Sequence, residues 1–213
     1  LIYFSTGNPG PDYNGAIRAG DNLFTASIVA IDAYSGEYRW HFQQVHHDIW
    51  DYDAPNPVVL FDLEYDGVPR KGLAQAGKTG WVYILDRVTG EPLVGIEERA
   101  VPQEPRQATA ATQPFPVGDP FVTQTLDIPP EGFDLTNQGK IFTPFWDEPI
   151  LLKRGEANWP PSTVDPAKGY MYVCAGERQA AYSTQTDTDL ASSGDRYTGG
   201  SMRFAPVPTT GVV

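Results

Sequence analysis

Short apolar runs recur along the chain, and each is closed by Gly, Pro, Asn or Asp. The runs are rich in β-branched and aromatic residues, and helical periodicity is scarce. They are LIYFSTG, SIVAIDA, YRWHFQQ, PVVLFDL, GWVYILD and GYMYVCAG. Such residues between turn formers are typical of strands, so the pattern predicts an all-β fold. No run approaches the roughly 18 apolar residues of a membrane helix.

One phrase occurs twice in nearly the same form. SIVAIDAYSGEYRW and WVYILDRVTGEPLV each combine an apolar strand, an Asp, two further residues, Ser or Thr with Gly, and a second strand. The Asp caps a turn and the glycine, Gly36 or Gly90, supplies the positive φ, so each phrase predicts a hairpin. STVDPAKGYMYV, with Gly169, is a looser third copy. Hairpins repeated at about 40 to 55 residues are typical of β-propeller blades.

The segment 97–150 interrupts this repetition. It is Pro-rich, as in VPQEPRQATAATQPFPVGDPF, and has few strand signals. We therefore expect a long surface excursion over one face of the propeller, within a single partial propeller domain covering 1–213. The polar stretch 183–200 predicts another surface loop. The chain starts inside an apolar run and ends on TTGVV, so we expect it to be a piece of a longer protein.

Composition and charge narrow the possible partners. Gly and Pro make up about a fifth of the chain and aromatic residues 12%, which indicates a turn-rich folded protein rather than a disordered one. The net charge of −12 argues against a nucleic-acid partner, because no basic stripe is present to neutralise phosphates, and it suits capture of a cation. The one cysteine, Cys174, lies in an apolar run and is predicted to be a small buried core residue rather than a catalytic thiol.

The stretch HHDIWDYDAPN, residues 46–56, carries an unusual density of acidic and aromatic side chains. On an extended strand, Asp51 and Asp53 would share one face, and Trp50 and Tyr52 would share the other. Two carboxylates about 7 Å apart on one face repel each other unless a positive group or water separates them. The pattern therefore predicts a cation or water beside the acidic pair.

The phrase AIDAYSGEYRW resembles the tryptophan-docking motif of quinoprotein dehydrogenases, which carry pyrroloquinoline quinone (PQQ) at the axis of an eight-bladed propeller. In that motif the Trp, here Trp40, packs between neighbouring blades. Further phrases follow in the order and rough spacing of the alcohol and sugar dehydrogenases of this family: STGNP, RAGDNL, HHDIWDYD, GKTGWVYILDR, TQPFP and EANWPPSTVDP. The resemblance covers nearly the whole chain and implies about three to four of the eight blades, with Trp40 mostly buried.

The resemblance also implies a metal site. Asn8, in TGNP, matches a metal-ligating Asn whose amide oxygen suits Ca²⁺. Asp51 matches the catalytic base near the metal, which takes the hydroxyl proton of the substrate while hydride passes to the quinone. Asp53 matches the additional ligand of lanthanide-using enzymes, yet the stretch also resembles membrane glucose dehydrogenases, which hold a divalent ion. We therefore expect Ca²⁺ or Mg²⁺ ahead of a lanthanide.

Three further positions are implied to contact the quinone. Lys78, in AGKTG, matches a Lys or Arg that hydrogen-bonds the C5 oxygen and stabilises the negative charge formed on reduction. Asn158 and Trp159 match a pair at the far edge of PQQ, although the glycine pair usual before that Asn is Glu-Ala here. His46 and His47 would point to opposite faces of a strand, so they predict no shared metal site; one would line a sugar pocket or, more commonly, pack and hydrogen-bond.

These residues form part of a site. The family's metal-binding Glu, the Trp under PQQ and its vicinal cysteine pair come earlier than Leu1, and the sequence has no CxxCH haem motif. The favoured hypothesis is a PQQ- and metal-dependent dehydrogenase of a primary alcohol or sugar. The family implies a periplasmic or secreted enzyme that passes electrons to a cytochrome c or a quinone.

Two other functions fit part of the sequence. A non-catalytic PQQ-repeat propeller scaffold of the outer-membrane assembly type explains the hairpins and Trp40. It gives no reason for Asn8, Asp51 and Lys78 to occur together. A calcium-binding, lectin-like β protein explains the acidic pair but leaves the propeller phrases without a cause.

Overall fold

The computed structural model describes residues 1–65, 67–186 and 197–212. Within these ranges the regular structure consists of strands and two short 3₁₀ turns, Pro105–Gln107 and Asn137–Gly139. The strands are β1 (Ile2–Ser5), β2 (Ser27–Ile31), β3 (Tyr38–Gln43), β4 (Val59–Tyr65), β5 (Val68–Ala76), β6 (Val82–Asp86), β7 (Ile96–Ala100), β8 (Thr112–Pro116), β9 (Ile150–Glu156), β10 (Thr163–Asp165), β11 (Tyr170–Tyr172), β12 (Ala175–Thr184), β13 (Gly200–Phe204) and β14 (Thr210–Val212).

The strands form antiparallel sheets, and the pair β10-β11 lies in sequence between β9 and β12 of the last sheet. β1-β2-β3 and β4-β5-β6 are three-stranded, and β7-β8 and β10-β11 are two-stranded. In the last sheet β12 is central, with β9 on one edge and β13 and β14 in succession on the other. The predicted all-β fold is confirmed. No helix of the described ranges is long and apolar enough to cross a membrane.

The three copies of the turn phrase fold alike. The amides of Gly36, Gly90 and Gly169 donate to the carbonyl of the preceding Asp at 3.0, 2.8 and 2.9 Å, and their φ angles are +72°, +82° and +69°. In each copy the Asp carboxylate accepts bonds from the amides that follow it. The predicted turn chemistry is confirmed. The second copy differs after the turn, where an isolated bridge between Leu85 and Pro92 replaces a paired strand.

Trp40 lies between the first two sheets. Its side chain is 7% exposed and packs on Ile28 and Ala30 of β2 and on Leu73 and Leu85 of β5 and β6. An indole hides this much surface only where a second sheet covers it. The predicted burial of Trp40 between neighbouring sheets is therefore confirmed.

The largest core surrounds the stretch 46–56. It joins side chains from the second sheet, the segment 97–150 and the sheet built on β12: Val45, Ile49, Trp50, Tyr52, Trp81, Tyr83, Phe115, Ile141, Phe142, Phe145, Ile150, Leu152, Ala180 and Tyr182. The acidic stretch is thus anchored at the junction of several sheets.

The segment 97–150, expected to be a surface excursion with few strands, contains one pair of strands, and the excursion itself stays a prediction. β7 and β8 pair there, from Ile96 with Pro116 to Ala100 with Thr112, and Phe142 of the same segment is fully buried. The prolines of TQPFP suggested a break, but a strand at a sheet edge tolerates Pro. For the predicted loop at 183–200, residues 187–196 lie outside the described part of the chain.

The contact between Trp40 and the turn at Gly90 is open to a matched test. A Cβ at Gly90 would lie 2.7 Å from the Trp40 ring, whereas nothing lies within 4 Å of one at Gly36. Both glycines have positive φ, so an alanine carries a similar backbone cost, about 1 kcal/mol, at either. We expect Gly90→Ala to lower the free energy of unfolding by roughly 1–3 kcal/mol more than Gly36→Ala, measured by urea unfolding. Equal losses would contradict the packing of Trp40 on this turn.

Candidate functional site

The stretch 46–56 forms a turn and not the predicted strand. The buried Asp48 carboxylate accepts hydrogen bonds from the backbone amides of Trp50 and Tyr52, both at 2.8 Å. These bonds curl the chain, and Asp51 takes a φ of +59°. Burial raises the pKa of Asp48 to about 7. The strand prediction fails because an Asp side chain satisfies amides that a strand would pair with a neighbour.

The turn places the aromatic and the acidic side chains in different environments. Trp50 and Tyr52 stack with ring centroids 5.8 Å apart and are buried in the core. The Trp50 Nε1 donates to the carbonyl of Thr143 at 2.9 Å. Asp51 and Asp53 stay partly accessible, with side chains 20% and 15% exposed. The aromatic pair and the acidic pair therefore lie in different environments, as predicted. The cause is the turn and not the alternation of side chains along a strand.

The cation beside the two carboxylates is Lys78. Its Nζ lies 3.1 Å from each carboxylate oxygen of Asp51 and 2.5 Å from Asp53 Oδ1. The Lys78 side chain is 7% exposed, so solvent screens these ion pairs little. Burial nevertheless raises the pKa of Asp53, against the opposing effect of Lys78. Lys78 is thus the positive group that the acidic pair requires.

A second cation, Arg154 of β9, contacts Asp51 and was not predicted. Its Nη2 donates to Asp51 Oδ2 at 2.9 Å, and its side chain is 1% exposed. The available signal was an Arg inside the apolar run PILLKRG, because a buried Arg requires a charged or polar partner. Two carboxylates, Asp51 and Asp53, therefore face two cations.

Three of these charged groups, those of Asp51, Lys78 and Arg154, border a cavity of about 620 Å³. Asp51, Lys78, Asn158 and Trp159 all line it, together with Arg154. The structure thus brings together the predicted base and the three predicted quinone contacts. Asn158 is held by its backbone carbonyl, which accepts a bond from the Asn56 side chain at 3.1 Å.

Asn8 forms no hydrogen bond with the other predicted site residues in the described ranges. It is partly buried, does not line the cavity, and its Nδ2 donates to the carbonyl of Pro9 at 3.3 Å. The neighbouring Thr6 carbonyl accepts a bond from Ala54 at 3.4 Å, which brings the TGNP segment beside the acidic turn. Among described residues no group of three His, Cys, Asp or Glu side chains forms a metal site. The metal roles of Asn8, Asp51 and Asp53 stay predictions.

Cys174 is exposed and lines the same cavity. The prediction of a buried core cysteine is therefore wrong. β11 ends at Tyr172 and β12 begins at Ala175, so Cys174 lies in the link between them and not on a strand face.

The two histidines have structural partners. His46 Nδ1 lies 2.7 Å from Gln43 Oε1, and its Nε2 lies 3.1 Å from Glu98 Oε1. His47 is buried, with its ring nitrogens 2.7 Å from the carbonyls of Gly20 and Gln107. Neither ring lines the cavity. Both side chains pack and hydrogen-bond, which was the more common expectation.

Comparisons with known proteins agree with this geometry. The sequence is 35% identical over 186 residues to the quinohemoprotein alcohol dehydrogenase ADH-IIG of Pseudomonas putida, which covers 85% of this chain and 23% of that protein. It is 39% identical over 125 residues to the glycerol dehydrogenase large subunit of Gluconobacter thailandicus, covering 56% of this chain and 17% of that one. The chain thus spans less than a quarter of the length of these relatives.

The comparison of structures points to the same family. The structure matches the solved quinohemoprotein alcohol dehydrogenase of Comamonas testosteroni with a TM-score of 0.68 and 25% identity, over 98% of this chain and 30% of that one. The family model of the glucose/ethanol/alcohol dehydrogenase beta-propeller domain (PQQ) matches residues 1–202. The sheets, the docked Trp40 and this match together show that the chain belongs to the PQQ-dependent dehydrogenase family and forms part of its β-propeller.

Proposed function

We propose that the protein containing this chain is a PQQ- and metal-dependent dehydrogenase that oxidises a primary alcohol or a sugar by hydride transfer to the quinone. The observation that carries the proposal is the cavity where Asp51, Lys78, Asn158 and Trp159 meet. The relatives named alcohol and glycerol dehydrogenases favour a hydroxyl-bearing substrate. The family also favours a periplasmic or secreted enzyme with a cytochrome c or a quinone as electron acceptor.

The cavity lining suits an anionic quinone. Lys78, Arg154 and Arg178 place positive charge along its wall, and PQQ carries carboxylate groups. Asn158 Oδ1 is buried and has no hydrogen-bond partner among the described residues, so a donor on a bound group would satisfy it. Trp159 is 76% exposed and offers an aromatic face for stacking. When bound, PQQ accepts the hydride that leaves the substrate carbon.

Asp51 is the residue proposed to take the hydroxyl proton of the substrate. Its carboxylate borders the cavity and keeps an accessible fraction of 20%, which a small alcohol can reach. Lys78 contributes a donor beside the place where negative charge develops during the reaction. A non-catalytic scaffold gives no reason for a carboxylate at a cavity wall to be held by two buried cations.

The proposed metal ligands are Asn8, Asp51 and Asp53. Their carboxylate and amide oxygens are the donors that hard cations such as Ca²⁺ and Mg²⁺ prefer. In this structure Lys78 contacts the oxygens of both carboxylates, so an ion binding there would compete with the ammonium group. Because Asp53 already has a cationic partner, we propose a divalent ion ahead of a lanthanide.

The first test removes the proposed base. Asp51→Asn keeps the shape and one oxygen but lacks the basic carboxylate, so we expect kcat to fall by about 10²–10⁴. The assay is dye-linked oxidation of alcohols and sugars by the complete protein reconstituted with PQQ and Ca²⁺. PQQ and metal should still bind, the metal more weakly.

Asp62→Asn is the matched control. Asp62 also pairs with an arginine, Arg87 at 2.8 Å, but its side chain is 72% exposed and lies on β4 outside the cavity. We expect its kcat to match that of the unmodified protein. An unchanged kcat in Asp51→Asn would contradict the assignment of Asp51 as the catalytic base.

The second test concerns Asp53 and the metal. We expect Asp53→Ala to lower activity with Ca²⁺ and with a lanthanide alike, because it removes both a proposed ligand of the ion and the partner of Lys78. A charged contact is worth about 1.5–3 kcal/mol, which corresponds to a loss of roughly ten- to a hundredfold. Apo-protein reconstituted with PQQ and each metal in turn gives the comparison, and Asp53→Asn serves as the shape-preserving control. A loss confined to lanthanides would instead make Asp53 the extra ligand of a trivalent ion.

A further inference from the structure

We propose that Arg154 is a positioning residue that holds the backbone and the carboxylate of Asp51 in one arrangement. The link to catalysis rests on the proposed function, in which Asp51 is the base. The clamp on the turn itself is a property of the folded chain and has its own readout.

One guanidinium group binds two successive backbone carbonyls and a side chain. Arg154 Nη1 donates to the Trp50 carbonyl at 2.9 Å, and Nη2 donates to the Asp51 carbonyl at 2.9 Å. Nη2 also donates to Asp51 Oδ2 at 2.9 Å. The planar fork of an arginine permits such simultaneous contacts, which a lysine ammonium on a flexible stem does not reproduce. The peptide and the carboxylate of Asp51 are therefore fixed to the same group.

The turn is stabilised by this contact. Asp51 has a φ of +59°, a left-handed conformation that is uncommon outside glycine, although Asp adopts it more readily than most residues. The Asp48 carboxylate binds the amides of Trp50 and Tyr52. Arg154 binds carbonyls of the same turn. The backbone amides of the turn are therefore held by Asp48, and its carbonyls are held by Arg154.

Arg154 is itself held rigidly. It lies on β9, which pairs with β12 over seven positions from Gly176–Glu156 to Tyr182–Ile150. Its Nη1 also donates to the Tyr182 hydroxyl at 2.8 Å, and the guanidinium lies over the Tyr52 ring, 5.5 Å from the centroid. Because Arg154 is fixed on the sheet, its contacts fix Asp51 relative to that sheet.

Lys78 and Arg154 therefore have different tasks. The Lys78 ammonium contacts carboxylate oxygens of Asp51 and Asp53 and supplies positive charge at the cavity. Arg154 adds contacts to the backbone of Asp51 and so sets the direction of its carboxylate. A displacement of about 1 Å in a reacting group can cost on the order of 10²-fold in rate.

The experiment compares Arg154→Lys and Arg154→Met with Lys153→Met in the complete protein. Lys153 is the adjacent cation of β9, is nearly buried and pairs with Glu177 at 3.3 Å, away from Asp51. The first readout is hydrogen–deuterium exchange of the Trp50 and Tyr52 amides. We expect exchange to rise at least about tenfold in both Arg154 variants and to stay unchanged in Lys153→Met.

The second readout separates positioning from binding. With PQQ and Ca²⁺, we expect kcat to fall by about 10² in Arg154→Met and by about tenfold in Arg154→Lys. In Arg154→Lys, which keeps the positive charge at the cavity wall, KM and the affinity for PQQ, measured by fluorescence quenching, should change little. Arg154→Met removes that charge, so its affinity for PQQ should fall, and its kcat is measured with saturating PQQ. Tyr182→Phe, which keeps Arg154 but removes one of its acceptors, should give a smaller increase in exchange and remains informative if Arg154→Met does not fold.

The outcomes distinguish the two proposals. Unchanged amide exchange in Arg154→Lys and in Tyr182→Phe would overturn the clamp. Faster exchange with normal kcat, in a protein whose Asp51→Asn variant is impaired, would overturn the positioning role. Normal kcat in both the Arg154 variants and Asp51→Asn would overturn the proposed function, and with it the catalytic part of this inference.

Discussion

Two buried cations facing two carboxylates are the constraint on which this site depends. Lys78 comes from the turn between β5 and β6, and Arg154 comes from β9, yet both contact Asp51. Breaking a buried ion pair by removing one partner costs about 3–5 kcal/mol. The second sheet and the sheet on β12 must therefore approach each other at this edge, and the cavity lies at their junction.

The stretch 46–56 contributes side chains both to the core and to the cavity wall. Asp48 binds backbone amides inside the protein, while Trp50 and Tyr52 fill the space between sheets. That anchoring leaves Asp51 partly exposed at the cavity wall and Asp53 partly exposed beside Lys78. The Asp51 carboxylate, although it lies on an irregular turn, thus gains the rigidity of the surrounding sheets.

Local sequence signals predicted the turns, whereas the site depended on longer-range information. The turns at Gly36 and Gly90 rely on bonds within five residues, so the residues themselves specify them. Asp51 and Lys78 could be paired only through the order of several phrases that resemble one family. Arg154 is 103 positions from Asp51, and no local rule connects them. The strand expected around Asp51 failed because a side chain competed for the backbone amides.

The most direct measurement is a crystal structure of the complete protein with PQQ and Ca²⁺. The account predicts the quinone in the cavity beside Asn158 and Trp159. It also predicts a calcium ion bound by oxygens of Asn8, Asp51 and Asp53 at about 2.3–2.6 Å, with Arg154 still donating to the carbonyl of Asp51. A quinone bound elsewhere, or an Asn8 side chain more than roughly 10 Å from an ion held by Asp51, would contradict it.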